Sequence, residues 1–63
     1  KFIMSDYITI QWRDERGIWY DYSNGVINQS AYIYDAMQAC KRFIGDKQVR
    51  AIDSNGRIID FLT

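Results

Sequence analysis

Histidine and proline are absent from this 63-residue chain, cysteine occurs once and glycine only four times. Without histidine the usual general base near neutral pH and the commonest metal ligand are missing, so Ser-His and Cys-His nucleophile pairs are excluded. A lone Cys40 forbids an internal disulfide and, with no histidine, the familiar four-ligand zinc patterns. It also points to a reducing compartment, and a cytoplasmic location is expected. With no proline, no strand loses a ladder donor. Eight basic and eight acidic residues leave a formal net charge of zero, so no long-range field draws the chain to phosphate backbones or an anionic membrane. No apolar run approaches the roughly 18 residues of a spanning helix, and no charged start followed by an apolar region resembles a signal peptide.

What the chain does have is aromatic mass: two tryptophans, five tyrosines and three phenylalanines. A domain of this size buries only about 60% of the surface its unfolded chain exposes, so large rings must carry much of the burial. The length suits one domain spanning residues 1–63. Met4-Ser5-Asp6 reads as an ordinary protein start, which makes Lys1 to Ile3 look like an added leader; the rival reading puts Phe2 and Ile3 in an extended first strand or takes the chain as cut from a longer one. Asn28-Gln29-Ser30 fits the glycosylation acceptor pattern, but a three-residue match without a secretory signal is expected to be fortuitous.

From Tyr7 to Arg13 apolar and polar residues alternate. Ile8, Ile10 and Trp12 share one face, and Tyr7, Thr9, Gln11 and Arg13 the other, as in a half-buried strand. Asp14-Glu15-Arg16-Gly17 then separates this run from Ile18-Trp19-Tyr20-Asp21-Tyr22. A three-residue loop with Gly17 in the left-handed conformation sets Trp12 opposite Tyr20 and Arg13 opposite Trp19; Ile18, Tyr20 and Tyr22 join the inner face and Trp19 stays outside. Ser23-Asn24-Gly25 reads as a further turn, with Val26-Ile27 either a short strand or the entry to a helix. Asn28 and Ser30 both suit an N-cap. Beyond them Ile33, Ala36, Met37, Cys40 and Ile44 form a helical apolar stripe, Lys41 and Arg42 suit the final turns, and Gly45 follows as a C-terminal cap.

For the closing hairpin, a two-residue Asn55-Gly56 turn would mix polar and apolar residues on both faces. A three-residue Ser54-Asn55-Gly56 loop is expected instead. It sets Arg50 against Asp60 and Asp53 against Arg57, and gathers Val49, Ala51, Ile59 and Phe61 on the inner face. The fold class that follows is α+β, ββαββ, with an antiparallel four-stranded sheet and one helix packed on one face.

Chemical signals are weak throughout. Asp53-Ser54-Asn55-Gly56 resembles a fragment of a calcium loop, but the continuing spacing and closing glutamate are missing, and a hairpin turn accounts for it. The carboxylates are scattered over turns and polar faces, and a one-helix domain has little depth for the dry pocket that would raise a carboxyl pKa. Cys40 beside Lys41 and Arg42 has the cationic neighbours of an activated thiol, but its place in the apolar stripe makes it a core residue. No enzyme activity, cofactor or metal site is expected.

The informative surface is the sheet face opposite the helix. It should carry Tyr7, Thr9, Gln11, Arg13, Trp19, Asp21, Arg50, Ile52, Ile58, Asp60 and Leu62. Trp19, Ile52, Ile58 and Leu62, with Tyr7 and Arg13 around them, read as a protein-binding surface for a partner or a second copy. The alternative is single-stranded nucleic acid, with Tyr7 and Trp19 stacking on bases while Arg13 and Arg50 meet phosphates. Asp21 and Asp60 on the same face count against that alternative. The hairpin, the helix containing Asp35-Ala36-Met37-Gln38-Ala39 and the closing Val49-Arg50-Ala51-Ile52-Asp53-Ser54-Asn55-Gly56-Arg57 hairpin resemble short proteins of phages and mobile elements. That resemblance, which names no particular family, implies a protein that binds and modulates a host protein.

Overall fold

The computed structural model describes residues 7–63, so the expectation of a leader at Lys1 to Ile3 lies outside the described residues. The chain runs β1 (Tyr7–Arg13), β2 (Trp19–Ile27), α1 (Ser30–Ile44), β3 (Val49–Ile52) and β4 (Ile58–Leu62). The strands form one antiparallel sheet in the order β2-β1-β3-β4. This is the ββαββ fold expected from the alternating runs and the helical stripe. The two hairpins join along β1 and β3, where Gln11 lies opposite Arg50 and Trp12 opposite Val49. Both central strands therefore bury most of their inner face: Ile8, Ile10, Val49 and Ala51 have no exposed surface, and Trp12 is half-buried.

The helix adds Ile33, Met37 and Cys40 to that core, with Trp12, Val26, Ala36, Ile44 and Leu62 packed around it. The 3.6-residue period aligns Ile33, Met37 and Cys40 on one face, and that face lies on β1, β2 and β3. Gly45 ends the helix as expected: its φ is 84°, and its amide returns to the Lys41 carbonyl at 2.9 Å. The start differs. The N-cap is Gln29, with no side-chain bond to the first turn, so neither Asn28 nor Ser30 caps it. Tertiary packing of the stripe outweighs the missing cap.

Both hairpin loops are built alike. In the first, Asp14 donates its amide to the Ile18 carbonyl at 3.0 Å, and in the second Asp53 does the same to Arg57 at 3.0 Å. The first hairpin then keeps the expected pairs, Trp12 with Tyr20 and Arg13 with Trp19. Ser23-Asn24-Gly25 is not a turn. β2 continues through it to Ile27, with register shifts between the partners of Ile8 and Ile10 and again before Gln11. The bulges keep the strand in the sheet while absorbing its extra residues. Ile18, expected inside, is largely exposed.

The second hairpin also departs from expectation. The three-residue loop holds Asp53 to Arg57 and Ile52 to Ile58, but an extra residue then enters β4, so Ala51 faces Asp60 and Arg50 faces Phe61. The expected Arg50–Asp60 pair does not form. One inserted residue exchanges the faces of everything beyond it. Phe61, expected in the core, turns outward and is 43% exposed, while Leu62, expected on the open face, packs against the core. Ile59, also expected inside, is 42% exposed beside the helix start. Asp60 lies there too, so it is absent from the open face.

Candidate functional site

Antiparallel pairing fixes what the open face of the sheet carries, because residues opposite each other point to the same side. Across its middle run Asp21, Gln11, Arg50 and Phe61, and the neighbouring row holds Thr9, Ile52 and Ile58. Tyr7 pairs with Ile27 at one end, and Arg13 with Trp19 at the other.

The polar residues of the middle row are linked across three strands. Arg50 Nε donates to Gln11 Oε1 at 2.8 Å, and Gln11 Nε2 donates to Asp21 Oδ1 at 2.7 Å. The Arg50 guanidinium also lies 3.9 Å from the centre of the Trp19 ring. Trp19 and Phe61 stand on opposite edge strands, three strand spacings or roughly 14 Å apart, yet their ring centres are 6.1 Å apart in an edge-to-face arrangement. The two side chains therefore lean toward each other over the middle of the sheet, with the Arg50 guanidinium stacked on the Trp19 ring.

Of the residues expected on this surface, Trp19 and Ile52 are half-buried, Ile58 is 54% exposed, and Tyr7 and Arg13 lie at opposite ends. Arg13 Nη1 donates to Gln48 Oε1 at 3.1 Å, and its guanidinium is 6.0 Å from the Trp19 ring. Leu62 is on the other side of the sheet. Sequence reasoning missed Phe61 and Ile27. Ile27 would have followed from extending β2, whereas Phe61 depended on a bulge that no residue in β4 announces.

Two of the acidic groups, Asp14 and Asp53, are committed to the loops. The Ile18 amide, then the Tyr20 hydroxyl and Arg16, hold the Asp14 carboxyl far below its ordinary pKa; the contacts are 3.0 Å from Ile18 N, 2.8 Å from Tyr20 Oη and 3.0 Å from Arg16 Nη2. Asp53 is lowered by the Arg57 amide first, with help from the Asn55 amide and the Arg57 side chain. Burial pushes the Cys40 thiol up, away from the thiolate a nucleophile needs. Among the described residues, no group of three or more Cys, Asp or Glu side chains is placed to hold a metal. Nor is any described helix long and apolar enough to cross a membrane.

Among the described residues, two grooves flank the sheet. One, of about 490 Å³, runs between the helix start and β4, lined by Gln29, Ile33, Tyr34, Ile59 and Asp60 among others. The other, of about 380 Å³, is polar and mixed in charge, lined by Arg13, Asp14, Glu15, Asp46, Lys47 and Gln48. Neither gathers a nucleophile, a base and an oxyanion donor. Comparison with protein-family models, with curated proteins and with solved structures gives no match for this chain.

Proposed function

We propose that this chain is a non-enzymatic protein-binding module that works through the open face of its sheet, with Phe61, Ile58 and Ile52 as contact residues around the Trp19–Arg50 stack. The observation that carries this reading is the cluster itself. Ile58 and Phe61 stay largely exposed beside a tryptophan and an arginine, on the side away from the helix. Aromatic residues and arginine are enriched at interfaces and dominate their hot spots. Arg50 is already held by Gln11 and Trp19, so it meets a partner with little further loss of side-chain freedom. The resemblance to short phage and mobile-element proteins extends the proposal to a cytoplasmic modulator of a host protein.

Single-stranded nucleic acid is the weaker alternative, because the arginines near the face are engaged: Arg13 by Gln48, Arg50 by Gln11, Arg16 by Asp14 and Arg57 by Asp53. Affinity capture from a host lysate tests the two readings, using wild type, Ile58→Asp and, as a control on the helix side, Phe43→Asp. Phe43 is 76% exposed. Loss of capture with Ile58→Asp alone, by a margin of about 2 kcal/mol, is the expected result. Equal retention by folded Ile58→Asp removes the open face as the site. Tight oligonucleotide binding that weakens steeply with salt would favour the alternative.

A further inference from the structure

β4 is the strand the helix covers least, and of its residues Leu62 packs against the core. α1 packs on β1, β2 and β3, and β4 is exposed at every residue from Ile58 to Phe61. As an edge strand it also offers main-chain groups that have no ladder partner among the described residues, and the ladder shows which ones. Arg13 donates its amide to the Gln48 carbonyl, so β3 turns the main chain of Gln48, Arg50 and Ile52 toward β1 and that of Val49, Ala51 and Asp53 toward β4. The Asp53–Arg57 bond agrees with this phase. Asp60 and Leu62 of β4 therefore face β3, while Ile58 and Phe61 present their amides and carbonyls to the free edge.

One of those amides is covered. Phe61 N–H donates to Oδ1 of its own neighbour Asp60 at 2.9 Å. The edge it covers is self-complementary because of the bulge. Ile59 and Asp60 both lie on the helix side, flanked by Ile58 and Phe61 on the open side, so a two-fold axis between Ile59 and Asp60 matches face to face along the whole strand. Ile58 of one copy would then exchange both main-chain bonds with Phe61 of the other, and the apolar row of Ile58 and Phe61 would continue across the axis. The same axis sets each Asp60 opposite Ile59 of the other copy, so the two Asp60 carboxylates are diagonal neighbours on the helix side, where like charges repel.

We propose that Asp60 is the guard of the β4 edge: its carboxylate occupies the Phe61 amide and sets one negative charge against another, keeping the strand from pairing with a second copy of this chain. Inward or edge-placed charges are a known means of blocking such contacts. Neutralising Asp60 releases the edge, and the product is a two-fold dimer joined β4 to β4.

Sedimentation velocity over a concentration series tests this on the full chain, comparing wild type, Asp60→Asn and Asp60→Ala. The expected result is a dimer dissociation constant at least tenfold lower for Asp60→Ala than for wild type, with Asp60→Asn lower than wild type as well. In the dimer the Phe61 amide should exchange with deuterium at least tenfold more slowly. Adding Ile58→Pro, which removes an outward amide without touching the ladder to β3, should return Asp60→Ala to monomer. If Asp60→Ala does not fold, Asp60→Asn carries the test alone. Association equal to wild type in the folded variants overturns the proposal, as does a variant dimer that survives Ile58→Pro.

Discussion

In the first hairpin Asp14, and in the second Asp53, accepts the amides of the residues two and four positions on, at 2.9 to 3.0 Å, while Gly17 and Gly56 close each loop at φ 87° and 82°. Each aspartate also pairs with an arginine of its own loop, Arg16 at 3.0 Å and Arg57 at 3.2 Å. Beyond the loops the arms differ. Asp14 is further bound by the Tyr20 hydroxyl, and Tyr20 stacks on Trp12 with ring centres 4.8 Å apart, so the first loop is tied to the sheet's inner face. Asp53 has no comparable tie among the described residues, and β4 is the strand the helix covers least. Identical turn chemistry thus organises a loop but does not decide how firmly its arms are held; burial does that.

The sharpest way to break the comparison is to remove burial from the inner strand and then from the outer one. Ile10→Ala should cost about 2–5 kcal/mol, the range for a fully buried aliphatic side chain, whereas Ile59→Ala should cost under about 1 kcal/mol, as for a partly exposed one. Urea denaturation of both variants gives the answer, and equal losses would mean that β4 is as firmly packed as β1. A chain of this size has a total stability of roughly 3–9 kcal/mol, so Ile10→Ala is expected to sit near the limit of folding.

Trp19→Ala comes next, since that ring links the two edge strands over the sheet. Losing the Arg50 stack and the Phe61 contact should cost about 1–2 kcal/mol. A double-mutant cycle with Phe61→Ala should return a coupling of about 0.5 kcal/mol or more, and strictly additive losses would show that the rings do not support each other. Because Trp19 has this share in stability, Ile58→Asp is the cleaner probe of binding.

Gly17→Ala and Gly56→Ala force a side chain into the left-handed region, at about 1–2 kcal/mol each. A Cβ on Gly17 would also approach Arg13 Nη2 to 3.1 Å, whereas on Gly56 it meets open space. The guanidinium can move aside, so thermal melts of the two variants should agree within a few degrees. A much larger loss at Gly17 would mean that Arg13 is fixed in place.

The smallest effect concerns acid. Both loop carboxyls are lowered in the folded state, so each contributes stability that is present above its unfolded pKa, about 4, and is lost as the pH falls below that toward the depressed folded value. Melting temperature should therefore decline below about pH 4, and Asp14→Asn should flatten that decline more than Asp53→Asn. Equal flattening would remove the special role of Tyr20.

Much of this was legible locally. The Asp-x-x-Gly spacing at Asp14 and Asp53 announces both loops, because the side-chain oxygen and the glycine act within five residues of each other. The alternation from Tyr7 to Arg13 identifies the inner face of β1, and the stripe from Ile33 to Ile44 identifies the helix and its buried side. The open face as a candidate surface follows from having one helix and four strands. The bulge in β4 is different in kind. Ile58-Ile59-Asp60-Phe61-Leu62 is apolar on either reading of its faces, so the pattern itself does not choose between Phe61 inside with Leu62 outside and the reverse.

By itself, then, the sequence determined the two Asp-x-x-Gly loops, the inner strand, the helix and their order, all of which depend on side-chain and backbone preferences acting over a few residues, whereas Ser23-Asn24-Gly25, which reads locally as a turn, is held in β2 by its pairing with β1. Only the tertiary structure decided which way β4 faces. Val49 and Ala51 are held under the helix by β1, and β4 reaches them with one extra residue; that places Leu62 against the core and Phe61 beside Trp19 and Arg50. The choice rests on contacts between strands far apart in the chain, and a short apolar run carries no record of its partners.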